Sequence, residues 1–153
     1  MYTYSVIQKG GKMTNEILNH ILKIVHSCPV AYLSTINQDK YPETRHLMNT
    51  MNEKAENLNL HFLTGIHSPK AEQLEKNPRV CLYYYDPNTH LAVRLFGRMK
   101  FVDNVVERGQ YWDETYKMFG YTGPEDENWG LITFIPDAYK FYSGGEIMSD
   151  KIK

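Results

Sequence analysis

Residues 60–86 restrict the fold more than any other stretch. They read as strand, glycine turn, short capped helix, proline stop and strand. Leu58, Leu60, Phe62 and Thr64 alternate with more polar positions, and Gly65 breaks the run. Ser68 is a good N-cap, Pro69 stands where a first-turn proline belongs, and Lys70 follows in the first turn. Asn77-Pro78 ends the helix, because proline disfavours a helical conformation in the residue before it and cannot continue the helix itself. A helix start with free N–H groups, a capping hydroxyl and a lysine is suited to an anion.

The rest of the chain is read around that unit. Thr14 to Ser27 is a helix capped by Thr14, with Met13 and Leu18 as a hydrophobic staple. Its apolar stripe is Ile17, Leu18, Ile21, Leu22 and Val25, and Pro29 ends it. His20 and His26 on it are expected to be exposed. Val30 to Ile36 and Tyr41 to Met51 are strands joined by the turn Asn37 to Lys40. Short connections of this kind give antiparallel neighbours. His90 to Val102 alternates, with Leu91, Val93, Leu95, Gly97, Met99 and Phe101 on one side and Arg94, Arg98 and Lys100 on the other. Gly97 inside it suggests a bend or a close approach of another backbone. A second long helix is expected from Asn104 to Phe119, closed by Gly120. Trp129 to Tyr142 reads as a last strand, kinked or ended near Pro136, and the tail after Gly144-Gly145 reads as mobile. Residues 1–12 are a leader, an appended remnant or an added edge strand, and 13–153 are a single domain. About six antiparallel strands with flanking helices make a mainly β protein, a small β-barrel with helices at its ends.

Composition narrows the function classes. The chain has 153 residues, 17 Lys and Arg against 18 Asp and Glu, and no basic face to hold nucleic acid. No apolar run reaches membrane-spanning length. The two cysteines, Cys28 and Cys81, sit beside apolar residues and read as core positions of a protein in a reducing cytoplasm. The six histidines show no metal-ligand spacing, so no metal site is expected, and no nucleophile motif is present.

What remains is a phosphate cradle beside an aromatic-rich barrel. Arg45 offers a fork, Lys70 a point charge and Ser68 a hydroxyl. The ordered set of Arg45, then Ser68 and Lys70, then Leu74 to Pro78 resembles the FMN-binding split-barrel family related to pyridoxamine 5'-phosphate oxidase. The resemblance runs from about Thr14 to Tyr142. It implies a flavin whose phosphate is held by Arg45, Ser68 and Lys70, and whose ring is contacted from His46, Leu47, Met48, Leu63 and Thr64. It also implies a homodimer with two flavins at the subunit interface, with Trp112 and Trp129 as the tryptophans available to the partner's flavin.

One departure matters. The family's B6 oxidases end in an Arg-Leu-x-x-Arg type segment, and Lys140 to Asp150 has nothing comparable. The chain is closer to the short general stress protein 26 branch. The expectation is an FMN-dependent oxidoreductase of unknown small-molecule substrate, with NADH or NADPH as the donor to test and no identified catalytic side chain. The alternatives are a non-catalytic flavin, deazaflavin or haem carrier or sensor, and a cofactor-free protein that acts through its dimer surface. His46 is the one candidate acid or base beside the ring.

Overall fold

The computed structural model describes residues 5–7 and 13–152. Among them, eight strands and three α-helices follow in the order β1 (Ser5–Ile7), α1 (Asn15–Ser27), β2 (Val30–Ile36), β3 (Pro42–Met48), β4 (Leu60–Gly65), α2 (Pro69–Lys76), β5 (Arg79–Asp86), β6 (Leu91–Phe101), α3 (Val105–Gly109), β7 (Trp129–Ser143) and β8 (Glu146–Lys151). Of the reading of residues 1–12, only the edge strand is visible as β1; the remainder lies outside the described residues.

Each helix begins on the side chain expected to cap it. Thr14 Oγ1 accepts from Ile17 N at 3.3 Å, Ser68 Oγ from Ala71 N at 3.3 Å, and Asn104 Oδ1 from Glu107 N at 3.0 Å. α1 buries Ile21, Leu22, Ile24 and Val25 against the sheet and leaves His20 and His26 exposed.

The strands pair in the order β1-β8-β7-β6-β5-β2-β3, and β4 pairs with β7. All ladders are antiparallel except β1 with β8. The 15 residues of β7 carry this branching. Its first half, Trp129 to Phe134, pairs with β4, and its second, Ala138 to Ser143, pairs with β8. The strands from β3 through β2, β5, β6 and β7 to β4 therefore curl into a barrel. β3 and β4 lie alongside one another at its ends, and no ladder joins them among the described residues. Leu33, Leu60, Phe62, Leu82, Tyr84, Leu95, Ile132 and Phe134 fill the interior.

Several sequence expectations are corrected. β3 stops at Met48, not Met51, because Asn49 turns into the core and Thr50–Asn52 form a 3₁₀ turn. The long helix from Asn104 is two pieces: α3 ends at Gly109, and a separate 3₁₀ turn, Glu114–Phe119, is capped by Asp113. Gly120 closes that turn in the left-handed region at φ 91°, as expected. At Pro136 β7 does not end, and of the two expectations there the kink is the one observed. The register to β6 slips there, from Phe96 opposite Ala138 to Gly97 opposite Pro136, so Asp137 is the extra residue of a bulge. A bulge is where a proline fits inside a sheet. The segment after Gly144-Gly145 is not loose chain but β8, hydrogen-bonded to β7.

Candidate functional site

The split between β3 and β4 defines the site. In an antiparallel ladder, facing residues alternately exchange both backbone hydrogen bonds and none. Asn49 N donates to Pro29 O at 3.0 Å and Asn37 N to Tyr41 O at 2.9 Å. With the β2–β3 register, that parity turns the N–H and C=O groups of Thr44, His46 and Met48 away from β2, toward the split. On the other lip, Asn52 stands in for a strand partner. Its Oδ1 accepts from His61 N at 2.8 Å and its Nδ2 donates to His61 O at 2.9 Å. Leu63, two residues on, presents its backbone groups to the same side.

Two asparagines fix this geometry. Asn49 is fully buried and donates to Val25 O at 2.6 Å and to Cys28 O at 2.8 Å, two carbonyls at the end of α1. Its Oδ1 accepts from Tyr84 Oη at 2.8 Å and Asn52 Nδ2 at 3.0 Å. The end of β3, the start of β4, α1 and β5 thus share one polar knot. Neither asparagine was singled out from sequence: Asn49 falls within the strand expected from Tyr41 to Met51, and Asn52 follows it where the chain turns.

At the far end of the split, Arg45, Ser68 and Lys70 line one cleft of about 490 Å³, together with Glu43, Thr44 and Pro69. Lys70 Nζ is 3.3 Å from Ser68 Oγ, to which it donates. Among the described residues no carboxylate lies within 4.0 Å of this half-buried ammonium. Burial pushes its pKa down, and the Arg45 charge pushes it further the same way. Two cations facing one cleft, one without a carboxylate partner, are what an anion would relieve.

Arg45 is more committed than sequence reasoning expected. Its Nη1 donates to Thr35 Oγ1 at 2.5 Å and lies 3.4 Å from Leu33 O. Its Nη2 lies 3.2 Å from Gln73 Oε1 and 3.4 Å from Glu43 Oε2. Thr35, Gln73 and Glu43 were missed. Hairpin register around the Asn37 turn places Glu43 opposite Thr35 and Arg45 opposite Leu33, and helical spacing puts Gln73 over Lys70, so the signal was there.

Of the residues implied for the ring, Leu47 is buried and half-buried Leu63 offers backbone at the split. Thr64 is buried, its hydroxyl donating to Gly65 O at 3.3 Å. His46 and Met48 are exposed on the outer face of β3 beside Tyr32. Trp129 is fully buried among Trp112, Tyr116 and Arg108, whose guanidinium carbon lies 4.6 Å above its ring, so it cannot extend to another subunit. No group of metal-ligating side chains occurs among the described residues. His61 is held between Thr133 Oγ1 at 2.9 Å and Tyr111 Oη at 3.2 Å.

The pyridoxamine 5'-phosphate oxidase-like family profile matches residues 16–149. The chain belongs to that family. It is 27% identical over 142 residues to a pyridoxine/pyridoxamine 5'-phosphate oxidase of Legionella pneumophila, covering 73% of this chain. It spans 65% of the length of that curated relative. In fold it is similar to a protein related to general stress protein 26 from Clostridium acetobutylicum, with a TM-score of 0.79 at 20% identity, covering 92% of this chain and 97% of that one. It is also similar to a pyridoxamine 5'-phosphate oxidase-related, FMN-binding protein from Nostoc punctiforme, with a TM-score of 0.63 at 18% identity over 88% and 94% of the two chains. The fold is the split barrel of the pyridoxamine 5'-phosphate oxidase-like proteins. Among the described residues no helix is long and apolar enough to cross a membrane.

Proposed function

We propose that this protein is an FMN-binding flavoprotein, an oxidoreductase acting on a small molecule, with its flavin at a homodimer interface. The observation that carries the reading is Lys70, a half-buried ammonium without a carboxylate partner among the described residues, facing a cleft shared with Ser68 and Arg45. The residues fit a phosphate monoester. Lys70 and Ser68 supply free donors, and Arg45, braced by Thr35 and Gln73, supplies charge at a fixed place. The backbone groups of His46, Met48 and Leu63 that face the split supply alternating donors and acceptors for a planar heterocycle lying along it. Bound FMN would supply the redox chemistry.

The side chains bind and orient. His46 was the candidate acid or base, but its imidazole is on the exposed face of β3. The reading therefore assigns no indispensable proton donor within one subunit. The dimer is supported by the exposed aromatic and apolar side chains Tyr32, Tyr85 and Met48 on one face of the barrel. The homology to B6 oxidases favours an enzyme over a carrier.

The test is an absorption spectrum of the purified protein with mass analysis of the released ligand, followed by stopped-flow mixing with NADH and NADPH. Flavin bands, an FMN mass and bleaching by a nucleotide are the expected results. A Soret band, or a colourless protein that FMN cannot restore, would overturn the proposal.

A further inference from the structure

Glu43 is the one acidic side chain lining the cleft of Arg45, Ser68 and Lys70. It stands two residues before Arg45 on β3, so both side chains leave the same face of the strand. Its Oε1 accepts from Asn37 Nδ2 at 2.9 Å and its Oε2 from Gln73 Nε2 at 2.8 Å. Arg45 Nη2 lies 3.4 Å from the same Oε2. The other terminal nitrogen of Arg45 is turned inward to Thr35 and Leu33. The guanidinium edge that faces an incoming anion is therefore the Nη2 edge, which Glu43 Oε2 shares with Gln73 Oε1 at 3.2 Å. Hydrogen bonds from Asn37 and then Gln73, with the Arg45 charge behind them, hold this carboxyl below the usual range and keep it ionised. At 46% exposure its side chain has room to swing out into water.

We propose that Glu43 is a built-in competitor for the phosphate position, a carboxylate on the outer edge of Arg45 that an incoming phosphate monoester must displace. This rests on the reading of the cleft as the site of the cofactor's phosphate. Glu43 then sets how strongly the cleft discriminates between anions. It repels a dianion about twice as strongly as a monoanion at the same place, because the Coulomb term scales with ligand charge. A ligand succeeds only if its own oxygens replace those of Glu43 on Arg45 and Gln73. Asn37 and Gln73 are parts of the gate, since they hold the carboxylate in place.

The experiment compares wild type with Glu43→Gln, Glu43→Asp and Lys70→Ala. The probes are FMN and riboflavin by fluorescence titration, and inorganic phosphate by chemical shifts of the Lys70 and Ala71 amides. Glu43→Gln should bind FMN and phosphate roughly three- to tenfold more tightly, as expected for one charge facing an anion across a cleft open to water. Riboflavin affinity should change by less than about twofold, because it lacks the charge. The gain should shrink as salt is raised. Glu43→Asp keeps the charge and should show no such gain. Unchanged or weaker binding of both anions to Glu43→Gln would overturn the proposal, and so would an equal gain in Glu43→Asp. If phosphate tightens but FMN does not, and Lys70→Ala leaves the FMN-to-riboflavin ratio unchanged, the competitor stands and the cofactor reading falls.

Discussion

Replacing Asn49 by alanine should unfold the barrel more easily than its position between two strands suggests. The side chain makes four hydrogen bonds while fully buried: two to carbonyls at the end of α1, one from Tyr84 and one from Asn52. Those carbonyls belong to the set a helix leaves unpaired at its C-terminal end. Alanine strands them and the Tyr84 hydroxyl in the interior, where burial already raises the Tyr84 pKa and keeps it a neutral donor. A stranded buried polar group costs about 1–3 kcal/mol. Asn52 keeps its bonds to His61, and some water will enter, so the total should be about 3–5 kcal/mol. For a chain of this size that lowers the Tm by about 6–20 °C. Urea denaturation followed by fluorescence measures it. Tyr84→Phe alone should cost about 0.5–1.5 kcal/mol. In the Asn49→Ala background it should cost nothing, because the hydroxyl no longer has its partner. A loss below about 1 kcal/mol for Asn49→Ala, or full additivity of the two changes, would refute the polar-knot account.

Gly97→Ala should abolish soluble expression or destabilise the protein severely, because an added Cβ would sit 2.1 Å from the Ile135 carbonyl oxygen at the bulge. Gly123→Ala, with nothing within 4 Å, should melt within a few degrees of wild type, and equal melting of the two variants would contradict the bulge geometry. Burial lowers the His61 pKa, with Glu107 opposing, so the unfolded chain, whose imidazole titrates near about 6.5, takes the proton first as the pH falls. The contribution of neutral His61 is complete above that pH and is lost as the pH falls toward the lower folded value. The Tm of wild type should therefore drop more between neutrality and mild acid than that of His61→Gln, and parallel profiles would show that His61 is not the titrating group.

Local chemistry made much of this fold legible. Thr14, Ser68 and Asn104 each cap the helix they precede, and the alternation of His90 to Val102 matches the burial of β6. These features depend on neighbours a few residues apart. The failures are non-local. Glu146 to Lys151 carries no strong apolar alternation, and it is a strand because the second half of β7 offers an open edge. At Pro136 a kink and an end both stayed open, because the bulge that decides for the kink is set by Gly97 on another strand. The helix expected through Gln110 breaks at Gly109 and restarts at the Asp113 cap. At the site, Arg45, Ser68 and Lys70 were readable as an ordered set, and they line one cleft. The partners of Arg45 were readable only in part: hairpin register brings Thr35 and Glu43 beside it and helical spacing sets Gln73 over Lys70, but the packing of α2 that carries Gln73 to Arg45 is non-local.

The central claim is that the cleft beside Lys70 holds the phosphate of a flavin. The most direct measurement is the affinity of wild type and Lys70→Ala for FMN and for riboflavin. A charge-assisted hydrogen bond is worth about 1.5–3 kcal/mol, so the substitution should weaken FMN by roughly tenfold to a hundredfold and leave riboflavin nearly unchanged. Equal weakening of both ligands, or none of either, would contradict the account.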